Sequence, residues 1–353
     1  MFKVTNYLRR ARVLYVEGNR TIVARGNRIF LYENGEQESA TVNLPVSFNE
    51  KILSRFTFTR LGLRLGVHAA QPLGDGRILV VLKRCFFLVY QDGSSRVVDR
   101  VHRGNKPASR AICQVPDGSI IYGEYFLNRD RHSPVAIYST NNVENGFTKL
   151  FEFPAGEVRH IHFVQWDPFA ACLWMGTGDA NSECHLFKST DVGVSWVCIG
   201  GGSQEWRAVS VIFTNDALFW GTDAGSDAGN TRNYIVRFDR ITHSISLVER
   251  IQGPCHGAGA LRDGTLFIST GVEGGDNEVD TSAHLWVSRD GKIWREVYAR
   301  QKNMWPYIVQ FGVIRIPPGT ETTDTLHFTA LALRGDAETW YSGMLEDNVS
   351  YTK

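Results

Sequence analysis

Residues 158–201 read VRHIHFVQWDPFAACLWMGTGDANSECHLFKSTDVGVSWVCIGG. The apolar runs here are short, rich in β-branched and aromatic side chains, and punctuated by Asp, Asn and Gly. That is strand patterning, with no apolar stripe of helical period. The same pattern continues outward on both sides: RILVVL, SIIYGEYF, ALFWGTD and TLFISTG each follow a turn signal. Candidate first-hairpin turns at Asp75-Gly76, Asp117-Gly118, Asp167-Pro168, Asn215-Asp216 and Asp263-Gly264 are spaced 42, 50, 48 and 48 residues apart. Two strand-like runs flank each turn and two more follow; in the unit before the quoted stretch they are 108–115, 119–126, 135–139 and 147–153. Four short antiparallel strands in every 40–50 residues make a β-propeller blade. The sequence therefore predicts an all-β fold, a single β-propeller domain over residues 1–353. Its units fall near 8–45, 52–103, 107–154, 158–201, 205–252, 253–299 and 304–346. Seven four-stranded blades is the favoured count and six the alternative, while a β-sandwich array would need no constant period.

Composition narrows the function classes. The chain has 353 residues, 43% hydrophobic and 21% charged, enough apolar surface for a large core. Lys+Arg 38 against Asp+Glu 37 gives +1, so no global basic field argues for a nucleic-acid partner. The first residues lack the apolar stretch of a secretory signal, and no run reaches the length of a membrane span. Six scattered cysteines without CxxC spacing read as small buried hydrophobes in a reducing compartment, which makes the cytoplasm the default location.

The innermost strand of a blade lines the central channel and runs from the functional face towards the first-hairpin turn. Residues seven positions before the turns should therefore ring the channel mouth: His68, Arg110, His160, Ala208 and His256. Arg159 flanks His160, Trp206-Arg207 flank Ala208, and alternation puts His162 on the face of His160. Packed, water-bridged channel histidines are the structural alternative. The second strand returns to the same face, and its ends carry Gly123-Glu124-Tyr125, Gly178-Asp179, Thr222-Asp223 and Val272-Glu273. Arg, His, Tyr and carboxylate alternating around one mouth suit an acidic glycan, with Arg pairing a carboxylate and His, Tyr or Glu moving protons. Arg9, Arg10 and Arg12 are placed to add positive charge at the first blade's mouth, or to solvate a terminus.

Ser189-Thr190-Asp191-Val192-Gly193-Val194-Ser195-Trp196 fits S-x-D-x-G-x-x-W, Ser288–Trp294 repeats it one residue short, and Ser139-Thr140-Asn141 with Gly146-Phe147 is a decayed copy. These stretches resemble the Asp-box (BNR) repeats of the sialidase-like propeller superfamily. The strings GEYF, RHIHFVQWDP, MGTGD, GGGSQEWRAVS and FWGTD resemble members associated with bacterial surface-polysaccharide systems. The resemblance implies a carbohydrate-directed propeller whose boxes sit on third-to-fourth-strand turns, opposite the active face. It transfers no sialidase active site, and Arg315-Ile316-Pro317, which matches a sialidase arginine motif in letters, falls on the wrong side of the boxes.

The expected function is cleavage of an acidic polysaccharide or oligosaccharide at the channel mouth. As a lyase, Arg110 or Arg207 would neutralise the uronate while His160 or Tyr125 took the proton; as a glycoside hydrolase, Glu124 and Asp179 would be the acid and the base or nucleophile. Arg159, His68, His162, His256 and Asp223 complete the expected substrate-binding set. A divalent metal on the channel histidines is a further option, since cytoplasmic oligogalacturonate lyases are propellers with histidine-rich metal sites; Gln165 would have to join from the opposite strand face. The alternative function is a non-catalytic glycan- or protein-binding propeller.

Overall fold

The computed structural model describes residues 1–33, 37–319 and 324–346. Seven four-stranded antiparallel blades follow one another around a ring. Blade 4, the quoted stretch, comprises His160–Asp167, Cys172–Gly178, His185–Ser189 and Val197–Gly201 in spatial order. Blades 1, 2, 3, 5 and 6 begin with Arg12–Glu17, Ala69–Pro72, Ile112–Gln114, Ile212–Phe213 and Cys255–Ala260. The fold class read from the repeat spacing is the one observed.

The ring closes in a way the unit boundaries do not anticipate. Blade 7 takes three strands from Gly312–Arg315, Thr325–Leu333 and Asp336–Leu345, and its fourth from the other end of the chain. That fourth strand, Phe2–Arg9, pairs antiparallel with Asp336–Leu345 from Phe2↔Leu345 to Arg9↔Thr339.

Second strands such as Ile78–Leu82 and Ala217–Gly221 are buried along their whole length, because neighbouring blades cover both faces. This is why they read as continuous apolar runs rather than alternating ones. Outer strands such as Ser95–Arg100 and Arg295–Gln301 are largely open to solvent. Each interface between neighbouring blades holds its own apolar cluster, for example Phe163, Trp174, Trp220 and Phe238 between blades 4 and 5. At the hairpin turns Asp75, Asp117 and Asp263 accept a backbone N–H two residues on, and Gly76, Gly118 and Gly264 share φ of +84°, +90° and +88°.

The Asp-box-like turns join the third and fourth strands of blades 4 and 6. Asp191 accepts from the Ser189 hydroxyl (2.8 Å) and the Ser195 N–H (2.9 Å), while the Trp196 indole donates to the Gly193 carbonyl (3.0 Å). Asp290 accepts from the N–H groups of Lys292 and Ile293, both at 2.9 Å, and Trp294 is buried. Between blades 1 and 2 lie two short helices that the strand patterning misses, α1 (Phe48–Leu53) and α2 (Thr57–Gly62). Leu61 of α2 packs with Val313 and Leu331 of blade 7, beside the channel mouth. No helix of the described residues is long and apolar enough to cross a membrane. All six cysteines are free; Cys172, Cys184 and Cys255 are buried as expected, whereas Cys198 is exposed.

Candidate functional site

One end of the channel opens into a cavity of about 350 Å³ lined by the starts of inner strands and the ends of second strands. Its two sides carry opposite charge. Blades 4 to 6 supply His162, Asp179, Arg207, Asp223, His256 and Glu273. Blades 7 and 1 supply Arg315 and Arg12, and the segments leading into blades 2 and 3 add Arg64, His68 and Lys106. Tyr125, 39% exposed, stands beside the acidic side.

Local packing explains how the acidic side is aimed. Glycines at the second-strand ends make room for inner-strand imidazoles: a Cβ at Gly178 would meet His162 Cε1 at 2.6 Å, and one at Gly271 would meet His256 Cδ2 at 2.2 Å. Asp179 opens a turn held by Glu183, whose carboxylate accepts from the Asp179 and Ala180 N–H groups. Asp223 sits in a turn clamped by Asn233, which accepts from Thr222 Oγ1 and Ala224 N and donates to Ala224 O. The turn after Asp223 is tied to the one after Glu273 by Asn277 Nδ2, which donates to the carbonyls of Ala224 and Gly225.

The carboxylates divide into two groups. Asp179 Oδ1 lies 3.0 Å from His162 Nε2, 3.4 Å from His160 Nε2 and 3.0 Å from Arg207, and Arg159 pairs with Oδ2. Burial works to raise its pKa, but hydrogen bonds from the two imidazoles and the Arg207 charge reverse this and hold the carboxyl far below its usual range. The imidazoles are committed as well. His160 and His162 meet at 3.0 Å between their Nε2 atoms, and His162 Nδ1 faces the Ala208 carbonyl at 3.1 Å. Burial lowers the pKa of His160, and Tyr125 packs against its ring, tilted by 32° with centroids 4.2 Å apart.

The second group is short of positive charge. Asp223, His256 and Glu273 present ligand atoms within 4.8 Å of one another. His256 Nε2 is buried without a hydrogen-bond partner, although Glu273 Oε1 is only 3.0 Å away. Burial first, then the neighbouring Glu273 charge, raises Asp223 well above the carboxylate range despite Arg207 at 3.5 Å. Arg207 is itself shared, since it also pairs with Asp179 and Asp227.

Both groups have the donor types of a divalent-metal site. The second fits a cation better. Two carboxylates with an orphaned imidazole nitrogen need positive charge, whereas Asp179 already has two guanidinium groups that would repel an added ion.

The opposite side is cationic. Glu338 accepts from Arg12 Nε (2.7 Å) and Arg60 Nε (2.9 Å). His68 Nδ1 is buried without a hydrogen-bond partner, and burial together with Lys106, Arg12, Arg315 and Arg64 keeps its pKa well below the ordinary value, so the ring is neutral. Burial, then Arg315, Arg12 and Arg64, depresses Lys106 strongly, and burial with Arg12 brings Arg315 down to about 10.

The expected ring is thus met in part. His68, His162, His256, Asp179, Asp223, Arg207 and Tyr125 line the cavity, with His160 and Arg159 directly behind. Two expected site residues are placed elsewhere. Arg110 does not face the substrate cavity; it reaches across the channel to the carbonyls of Ala258 (2.7 Å) and Pro317 (2.6 Å) and borders the cavity at the opposite end. Glu124 is fully buried and accepts from Ala136 N (2.9 Å) and Tyr138 Oη (3.4 Å), because strand alternation turns it away when Tyr125 faces the channel. Gln165, which strand parity sets on the opposite face from His160, bridges blades through both Val211 backbone groups. Glu273 completes the acidic group at a position where acids recur along the repeat. Arg315 lines the cavity from the inner strand of blade 7, although its tripeptide is no sialidase motif. Arg64 and Lys106 come from connecting segments that carry no repeat signal.

Comparison with known proteins shows the fold. No family model and no curated protein matches the sequence, so the likeness to sialidase-like propellers rests on turn motifs alone. Among solved structures the chain is similar to virginiamycin B lyase from Staphylococcus aureus, with TM-score 0.63 and 13% identity over 98% of this chain and 100% of that one. It is similar to an oligogalacturonate lyase in complex with manganese, with TM-score 0.63 and 9% identity over 98% and 96%. An oligogalacturonate lyase from Vibrio parahaemolyticus gives TM-score 0.59 and 13% identity over 98% and 92%. At these identities the likeness is one of architecture, and the architecture is the β-propeller.

Proposed function

We propose that this propeller is a metal-assisted lyase that cleaves an acidic glycan by β-elimination at the channel mouth. The observation that carries the reading is the charge-deficient group of Asp223, His256 and Glu273, set across one cavity from a neutral histidine. The lyases among the structural neighbours, one of them holding manganese, agree with this choice.

A divalent cation held by Asp223, His256 and Glu273 would bind the uronate carboxylate and stabilise the charge that develops when the neighbouring C5 proton leaves. His68 is the proton acceptor: its ring is neutral and Nδ1 has no protein partner. Tyr125 is the acid. Burial, with Asp179 and Asp223 nearby, pushes its phenol up to about 12, so the proton stays in place until the departing sugar oxygen takes it. The C5–H bond breaks to His68, the C4–C5 double bond forms, and the C4–O bond breaks as Tyr125 protonates the oxygen. Arg159, Arg207, His160 and His162 keep Asp179 ionised and fix the wall beside Tyr125, which makes them positioning residues.

The carboxylate pair expected for a hydrolase, Glu124 and Asp179, is not presented to the cavity together, since Glu124 is turned away and Asp179 is fully engaged. The test uses purified protein, a panel of uronate oligosaccharides and manganese or magnesium. Absorbance from an unsaturated uronate, abolished by chelation and reduced roughly 10²–10⁴-fold in Tyr125→Phe, supports the reading. New reducing ends without that absorbance would select hydrolysis, and binding without either product would select a non-catalytic propeller.

A further inference from the structure

The cationic side holds more positive charge than one uronate can balance. Glu338 is the carboxylate at this side, and it is already held by Arg12 and Arg60. Among the described residues no hydrogen bond or ion pair engages the side chains of Arg64, Lys106 or Arg315. These three converge with His68 on the same cavity, and the His68 Nδ1 atom there is buried without a partner. Two guanidinium groups and an amine, none of them paired, beside an unsatisfied ring nitrogen are costly to hold together in a confined space. Burial first, then Arg315, Arg12 and Arg64, depresses Lys106, while burial and Arg12 bring Arg315 down.

We propose that Arg64, Lys106 and Arg315 form a second anion subsite that takes a dianionic tetrahedral oxyanion, a phosphate monoester carried by the substrate. A single carboxylate offers two oxygens and one charge and would leave two of the three cations uncompensated. A phosphate monoester offers three terminal oxygens, one for each cation, and brings nearly two charges at neutral pH. Arg12, which lines the same cavity, is held in the Arg12–Glu338–Arg60 pairing, which does not use the other three basic groups. The inference rests on the lyase reading only in treating the cavity as a substrate pocket. It extends that reading from an acidic sugar to one that bears a second, more highly charged group.

The experiment is thermal melting of the chelator-treated full chain in matched ionic strength with added inorganic phosphate, sulfate or acetate. Phosphate and sulfate at about ten times their dissociation constant should raise the melting temperature by roughly 2–4 °C. Acetate should give less than about half of that shift. The phosphate effect should disappear in Lys106→Gln and in Arg315→Gln, and persist in Glu273→Gln. If Arg315→Gln does not fold, Lys106→Gln on the connecting segment carries the comparison alone. Absence of an anion-dependent shift, persistence of the full shift in Lys106→Gln, or an equal effect of acetate overturns the proposal. Those outcomes leave the elimination assay untouched, and a failed elimination assay leaves this binding result standing.

Discussion

Asp179 and Asp223 occupy matching places in adjacent blades, each just after the second strand, in the strings MGTGD and FWGTD. Their surroundings are opposite. Asp179 is met by two imidazoles and two guanidinium groups, while Asp223 faces Glu273 and shares a single guanidinium with two other carboxylates. A repeat therefore dictates where an acid stands, and the side chains arriving from neighbouring blades dictate what it can do. One aspartate holds the wall together; the other is left wanting a cation.

The largest test of this contrast is Asp179→Asn. It leaves Arg159 and Arg207 without their common partner, so unfolding measurements at neutral pH should show a loss of about 3–5 kcal/mol. The sign with pH follows from the depressed pKa. The stabilisation is present above the usual carboxylate range and disappears only as pH falls far below it, so the deficit of the variant should narrow in acid. A neutral effect at pH 7 would break the contrast.

Asp223→Asn should move in the other direction. The raised pKa means that the folded state binds a proton the unfolded chain releases, so metal-free protein loses stability as pH climbs from about 4 towards neutrality. The variant should remove that slope and gain on the order of 1 kcal/mol near neutral pH. Its metal affinity, read by competition with a chelating dye, should drop at least about tenfold. Stability and metal binding moving oppositely would sharpen the distinction between the two aspartates; a parallel loss of both would erase it.

Asp191→Ala gives the smallest effect. It removes the turn hydrogen bonds on the far face and should cost about 1 kcal/mol in denaturant unfolding, with turnover and metal affinity unchanged. A change in turnover would mean that the two ends of the propeller are coupled.

The blades and most of the acidic side were legible in the sequence because both follow the repeat. Counting seven residues back from Asp-Gly-like turns finds His68, His160 and His256, and second-strand ends find Tyr125, Asp179, Asp223 and Glu273. Strand parity, applied to Gly123-Glu124-Tyr125, would have chosen Tyr125 over Glu124. Arg110 occupies its repeat position, but a long side chain can reach carbonyls across the channel, and position does not give direction. The cationic side was largely hidden. Blades 1 and 7 lack the Asp- or Asn-led first-hairpin turn that marks the others, so Arg12 was only a nearby charge and Arg315 only part of an unrelated-looking tripeptide, while Arg64 and Lys106 lie on connections of no fixed period. Compensation was illegible for a deeper reason: whether a carboxylate is satisfied depends on residues tens of positions away that meet only when the ring is built.

That ring is fastened by Phe2–Arg9 lying along Asp336–Leu345, and the fastening is next to the cationic wall. Arg12 stands just past the clasping strand and Glu338 lies on the strand it grips, so their ion pair straddles the seam. Slackening the latch would pull that pair apart first, and the pocket would register the breach while the far blades still held their shape. Any tag or truncation at residues 2–9 is thus an intervention on the binding chamber as much as on the perimeter.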